Sequence, residues 1–254
     1  MGFAITSVLP WGLLRCAEPQ VVELAKWERL RQAARSTLYY ADHSGEFPVV
    51  ELGYFYRNHR LFLNPAAPPP SPVPLDVIWD PLPSVIALKP WFPLETRILQ
   101  DPVCEQLHEL APQALAAPID VLRGVARAAL ERRLSLPSLT HGLIALTGIS
   151  RALLTQADRD WFWRVFQVPL FEQFRGFQGE VLASECECHD GLHIRTENAA
   201  WETRGAELVV TSLDNLRYPT VRLATGIRGR MDTSSCECGE ASPRIKGLAA
   251  LRML

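Results

Sequence analysis

Four of the six cysteines come as two Cys-x-Cys pairs, Cys186/Cys188 and Cys236/Cys238, and His193 follows the first pair. Thiolate and imidazole are the donors zinc favours, and four of them close a tetrahedron. At this spacing, paired cysteines read as a metal site rather than as a disulfide framework. In Ser184-Glu-Cys-Glu-Cys-His-Asp-Gly-Leu-His193, Asp190-Gly191 has the composition of a two-residue hairpin turn. On such a hairpin Cys188 stands opposite His193 and Cys186 stands diagonal to it. All three share one face, and His189 points away. Ser234-Ser-Cys-Glu-Cys-Gly239 supplies two more thiols on a turn ending in glycine. The donors outnumber the four positions, and spacing alone does not choose between Cys186 and Cys188. Four protein ligands make a closed, structural zinc site; three leave a position for water and a hydrolytic site. Cys16 and Cys104 stand alone and read as small buried hydrophobes.

Outside the cysteines, His141, His189, Glu180 and Arg222 have side chains that could serve a reaction on a peptide. Each also has a plain reading. His141 precedes a glycine and suits a turn, and His189 flanks the expected hairpin tip. Glu180 starts a strand, and Arg222 suits an ion pair at a strand end. They form no Ser/His/Asp or Cys/His set in sequence order, although such sets need only be close in space.

The elements that must position these groups follow from periodicity. The chain has 254 residues, 48% hydrophobic and 21% charged, the balance of a globular protein. Its formal net charge of -2 argues against a nucleic-acid partner. No apolar run approaches the roughly 20 residues needed to cross a bilayer. Met1 to Leu14 lacks the marks of a signal peptide, so a cytoplasmic setting is expected. Pro19 to Tyr40 is expected to be helical, with Trp27, Leu30 and Ala34 on its packed face. Phe47 to Leu63 reads as two short extended pieces. Eight prolines between Pro65 and Pro83 predict an extended connector. The expected organisation is therefore a helical segment over 1–64, the connector over 65–84 and an α/β domain over 85–254. In the last part Val85 to Trp91, Gly142 to Thr147 and Val168 to Phe171 read as strands. Glu105 to Leu110, Ile119 to Arg133 and a segment capped by Ser150, or by Thr155 with Asp158, read as helices. From Glu180 onward the period becomes two. Glu180–Glu187, His193–Glu197, Ala200–Glu202 and Glu207–Leu213 read as strands, so the fold class is α/β with a mixed sheet and a β-rich C-terminal part.

Between about Leu143 and Ile245 the sequence resembles the phenylacetate–coenzyme A ligase branch of the adenylate-forming enzymes. Leu146-Thr-Gly-Ile-Ser150 is similar to the family's "TGE-x-L". Glu185-Cys-Glu with Gly191-Leu-His-Ile resembles its cysteine- and histidine-bearing hairpin. Glu207-Leu-Val-Val-Thr-Ser-Leu, and then Arg217 to Gly226, look like "GEL-x-x-T-x-L" and "P-L-x-R-Y-x-T-G-D". Cys236-Glu-Cys-Gly with Pro243-Arg-Ile245 looks like "C-x-C-G-R-x-x-P-R-I". The resemblance implies one subdomain of an adenylation fold and ranks Cys186 above Cys188. The implied zinc set is Cys186, His193, Cys236 and Cys238, with Glu180 and Arg222 left as substrate-binding candidates. The departures imply loss of ATP chemistry. No Ser/Thr/Gly-rich phosphate loop is visible. Glu180 follows an altered approach, and Ile227 stands where the family has its ribose-binding Asp. The family's small C-terminal lysine domain has no counterpart before Leu254. The expectation is a non-adenylating, truncated remnant with structural zinc and no ATP. It would bind a peptide or acyl substrate in peptide natural-product biosynthesis, as a homodimer with no nucleic-acid or membrane partner. The alternative is a peptide-tailoring enzyme, a cyclase or a zinc-dependent hydrolase.

Overall fold

The computed structural model describes residues 24–41, 43, 45–69, 84–87, 97–98 and 104–251. Cys16, Trp91, residues 1–23 and the proline run over 70–83 lie outside the described residues. The elements in chain order begin with α1 (Leu24–Arg35), β1 (Val50–Glu51), α2 (Leu52–Arg57) and a 3-10 turn at His59–Phe62. Then come β2 (Val85–Ala87), β3 (Arg97–Ile98), α3 (Cys104–Leu110), β4 (Ala114–Pro118), α4 (Ile119–Leu130), β5 (Gly142–Gly148) and α5 (Gln156–Phe166). The rest is β6 (Leu170–Arg175), β7 (Val181–Glu185), β8 (Leu192–Ile194), β9 (Ala199–Arg204), β10 (Glu207–Ser212), β11 (Leu223–Asp232) and β12 (Arg244–Ala250). Among the described residues, no helix is long and apolar enough to cross a membrane.

The chain divides into two compact units. The one that holds the cysteine pairs comprises Pro72–His193 and Ser235–Glu240. Its core is a parallel array, β3-β2-β4-β5-β6, to which β7 adds antiparallel, making a mixed sheet. Strands β5, β6 and β7 are buried along their whole length, as expected of strands covered on both faces. On one face Leu115, Leu143 and Leu170 pack with Leu122, Val125 and Ala126 of α4 and Phe162 of α5. On the other, Val85, Ala114, Ala116, Ile144 and Leu146 form a second cluster. Helix α5 starts on a capping box. The Thr155 hydroxyl oxygen accepts from the Asp158 N–H at 3.1 Å, and the Thr155 N–H donates to the Asp158 carboxylate at 3.0 Å.

The other unit comprises Met1–Ser71, Ile194–Ser234 and Ala241–Leu254. It holds the antiparallel order β12-β11-β10-β9, with β1 parallel to β11. Trp27, Leu30 and Ala34 of α1 are buried, whereas Leu24 is 44% exposed. Trp27 meets Phe47 edge-on at 6.2 Å. Tyr40 is fully buried, and its hydroxyl donates to the Val221 carbonyl at 3.1 Å. Phe47 to Leu63 corrects the expected pair of extended pieces: only β1 is extended, and the segment then turns through α2 and the 3-10 turn. The aromatic residues Phe55 and Phe62 set that shape, packing 5.0 Å apart on one side of it.

Candidate metal centre

The first Cys-x-Cys pair does not sit on a two-residue hairpin. Strand β7 stops at Glu185, β8 starts at Leu192, and Cys186 to Gly191 form a longer turn. The reason is local. The backbone N–H of Cys188 donates to the Cys186 thiol, and the N–H of His189 donates to the Cys186 carbonyl at 3.1 Å. The fourth residue of the turn, His189, takes the left-handed conformation at φ 52°. These bonds give the backbone donors partners that a strand ladder would otherwise supply.

The second pair forms the same turn. The Cys238 N–H donates to the Cys236 thiol, and the Gly239 N–H donates to the Cys236 carbonyl at 3.0 Å. Gly239 takes φ 83°, which glycine adopts without the steric cost that His189 meets.

These turns bring Cys186, His193, Cys236 and Cys238 together, with one donor atom of each within 4.8 Å of all the others. His193 comes from β8 and is fully buried. Cys186 Sγ and Cys236 Sγ are 3.7 Å apart, and Cys238 Sγ lies 3.4 Å from His193 Nε2. A tetrahedral zinc site with metal–sulfur bonds of about 2.3 Å and a metal–nitrogen bond of about 2.0 Å has sulfur–sulfur edges of about 3.8 Å and sulfur–nitrogen edges of about 3.5 Å. The donor set therefore fits a metal ion in both chemistry and spacing. His193 Nδ1 faces the Glu240 carboxylate at 3.7 Å, the kind of outer partner that orients a ligating imidazole. The Glu240 N–H also donates to Cys238 Sγ at 3.4 Å.

The thiols are not equivalent. The N–H of Cys238, helped by His193, draws the Cys236 thiol down to about 6. Burial pushes Cys186 up to about 12. The two directions agree physically: the cluster favours one thiolate at Cys236 and resists a second until a cation neutralises it.

Beside this cluster lies a buried ionic group that the sequence reading did not assemble. Glu185 is 4% exposed, and its carboxylate accepts from Arg159 Nη2 at 2.9 Å and from the Glu172 N–H at 2.9 Å. His189 Nδ1 lies 3.2 Å from Glu185, and its ring stacks on Phe171 at 5.0 Å. Glu172 accepts the Thr147 hydroxyl at 2.6 Å. Burial raises the Glu172 carboxyl to about 7 against the pull of Thr147; Glu185 adds to the rise and Arg159 opposes it. Arg159 and His189 open onto a groove of about 400 Å³ lined also by Asp160, half-exposed Trp163, Pro169 and Leu170. The strand expected over Val168 to Phe171 stops one residue short of Glu172, which lies inside β6. A charge inside a continuous buried run is the signal that could have flagged it.

The remaining candidates occupy separate places. Glu180 is 4% exposed and accepts from the Gln178 N–H at 2.9 Å. Its carboxylate also presses on Gly176, where a Cβ would come within 2.2 Å of it. Arg222 belongs to the other unit. It donates to Glu202 at 2.6 Å and to the Phe47 carbonyl at 3.1 Å, the strand-end ion pair of its plain reading. His141 Nδ1 lies 3.2 Å from the Thr140 hydroxyl.

No protein-family model matches the chain, and no curated protein matches it. Solved structures do resemble its fold. An open conformation of 2-hydroxyisobutyryl-CoA ligase in complex with 2-HIB-AMP and CoA is similar with a TM-score of 0.67 at 12% identity, over 89% of this chain and 68% of that one. The same ligase in the thioesterification state gives 0.65 at 13%, over 90% and 68%. In the postadenylation state with R3-HIB-AMP it gives 0.64 at 14%, over 87% and 66%. At such identities the likeness is one of fold: the chain has the mixed α/β fold of an acyl-CoA ligase.

Proposed function

We propose that this chain is an adenylation-type fold of the phenylacetate–coenzyme A ligase kind that binds a peptide or acyl substrate without activating it. Its Cys186–His193–Cys236–Cys238 set holds zinc as a structural clamp. The observation that carries the loss of adenylation is Ile227. It is 5% exposed in β11 and stands where the resemblance has a ribose-binding carboxylate. An isoleucine side chain accepts no hydrogen bond from a hydroxyl. Glu180 and Arg222 remain the substrate-binding candidates of this reading, with a role in peptide natural-product biosynthesis, a homodimeric state and a cytoplasmic setting as its corollaries.

ATP–pyrophosphate exchange, measured over a panel of acyl and aminoacyl acids, checks the reading. The expected result is no exchange with any acid, together with peptide binding by calorimetry and recovery of the peptide at unchanged mass. Acid-dependent exchange would restore a ligase and remove the proposal.

A second reading rests on the Glu185–His189 pair. A carboxylate that holds an imidazole at the mouth of a groove is the arrangement of a general base and its orienting acid. A peptide whose mass changes on incubation with the protein, and does not change with His189→Gln, selects this tailoring enzyme. The zinc-hydrolase version is disfavoured, because four protein donors fill the tetrahedron and leave no position for water.

A further inference from the structure

The two cysteine turns are copies of one device, yet they contribute unequally to the metal set. Each has the sequence Cys-Glu-Cys. In each, the third residue's N–H donates to the first thiol, the fourth N–H donates to the first carbonyl, and the fourth residue is left-handed. The second turn gives both thiols to the four-donor group. The first gives only Cys186, and His193 fills the place that matches Cys188. Cys188 is nonetheless at the site: it is half-buried, and its thiol is hydrogen-bonded to those of Cys236 and Cys186. Keeping its turn in shape requires a non-glycine residue, His189, at positive φ, an uncommon conformation held here by Glu185 and Phe171.

We infer that Cys188 is a fifth, exchangeable metal ligand that replaces His193 and so converts the mixed set of three thiolates and one imidazole into an all-thiolate set around the same ion. This rests on the metal reading above. Zinc has no d-electron preference that would tie it to one of these sets, and both are ordinary structural sites. Thiolate for imidazole adds one negative charge, so the mixed set is the resting one and the all-sulfur set is favoured by softer ions.

The test uses the full chain loaded with cobalt(II), whose visible and near-ultraviolet absorption reports the number of thiolates. Wild type and Cys188→Ser are expected to bind about one metal per chain with a three-thiolate spectrum. His193→Ala is expected to keep about one metal per chain with a four-thiolate spectrum, and His193→Ala/Cys188→Ser to lose it. Cadmium NMR of the cadmium-loaded protein keeps the question open to refutation if His193→Ala does not fold. A four-thiolate resonance is expected in wild type and not in Cys188→Ser. Metal lost from folded His193→Ala, metal kept in the double variant, or cadmium spectra identical with and without Cys188 would each overturn the inference while leaving the zinc site standing. Wild type that binds no metal would overturn the zinc reading itself, and this inference with it.

Discussion

The Cys/His cluster and the Arg159–Glu172–Glu185 group belong to the same unit, and both bury several ionisable side chains, but they solve the problem in opposite ways. Around Cys236 the backbone donors of the turn stabilise a thiolate, so the cluster is set up as an anion. Around Glu172 burial outweighs the hydroxyl and the guanidinium, so that carboxyl is pushed toward its neutral form. A backbone N–H outweighs burial at Cys236 but not at Cys186, so the balance of the two at each thiol, rather than either alone, decides which buried acid is ready to take a cation. The ionic group then has a supporting part: through Glu185 and His189 it braces the first cysteine turn.

Breaking the first half of the comparison has the largest expected effect. Chelation, or Cys236→Ser, removes a metal whose apparent binding energy is on the order of 10 kcal/mol, comparable to the stability of a domain. Thermal melts with and without chelator are expected to show loss of the folded state. Arg159→Ala comes next, because it leaves Glu172 and Glu185 buried without their cation. A loss of about 3 to 5 kcal/mol is expected in denaturant unfolding.

Glu172→Gln sharpens the contrast through pH. A carboxyl whose folded value lies above its ordinary 4.5 makes the folded state bind more protons than the unfolded one between about 4.5 and about 7. Its contribution is therefore fully present below that window and is lost as pH rises through it, an effect on the order of 3 kcal/mol. In Glu172→Gln the fall of stability with pH across that window is expected to flatten. The smallest effect is expected of Thr155→Ala, which removes the α5 cap at a cost of about 1 kcal/mol and leaves metal content unchanged.

The capping residues of α5 were legible because Thr155 and Asp158 stand three apart before an apolar-periodic run. The buried strand β5 was legible because Gly142 and Gly148 bracket continuous hydrophobes. Strand β4 was not, since Ala-Leu-Ala-Ala-Pro lacks the branched side chains that mark strands, and its burial comes from β2 and β5 on either side. Strands β11 and β12 were missed as strands because Gly226, Gly229 and Gly247 interrupt their alternation. At the site, residue types and spacing offered more donors than four positions need and the family resemblance ranked Cys186 above Cys188, whereas the shape holding them was read wrongly. Asp190-Gly191 carries a strong hairpin signature, but thiols that accept backbone hydrogen bonds outcompete it. Nothing in the spacing announced that Glu172, Glu185 and Arg159 would meet, because that contact depends on α5 crossing β6 and β7.

The most direct test of the account is metal content per chain by elemental analysis, on wild type and on Cys236→Ser purified in parallel. The account predicts about one zinc per chain in the wild type and none in the variant. Wild-type protein that is folded and free of zinc, or Cys236→Ser that retains it, would contradict the claim that these four side chains form a metal centre.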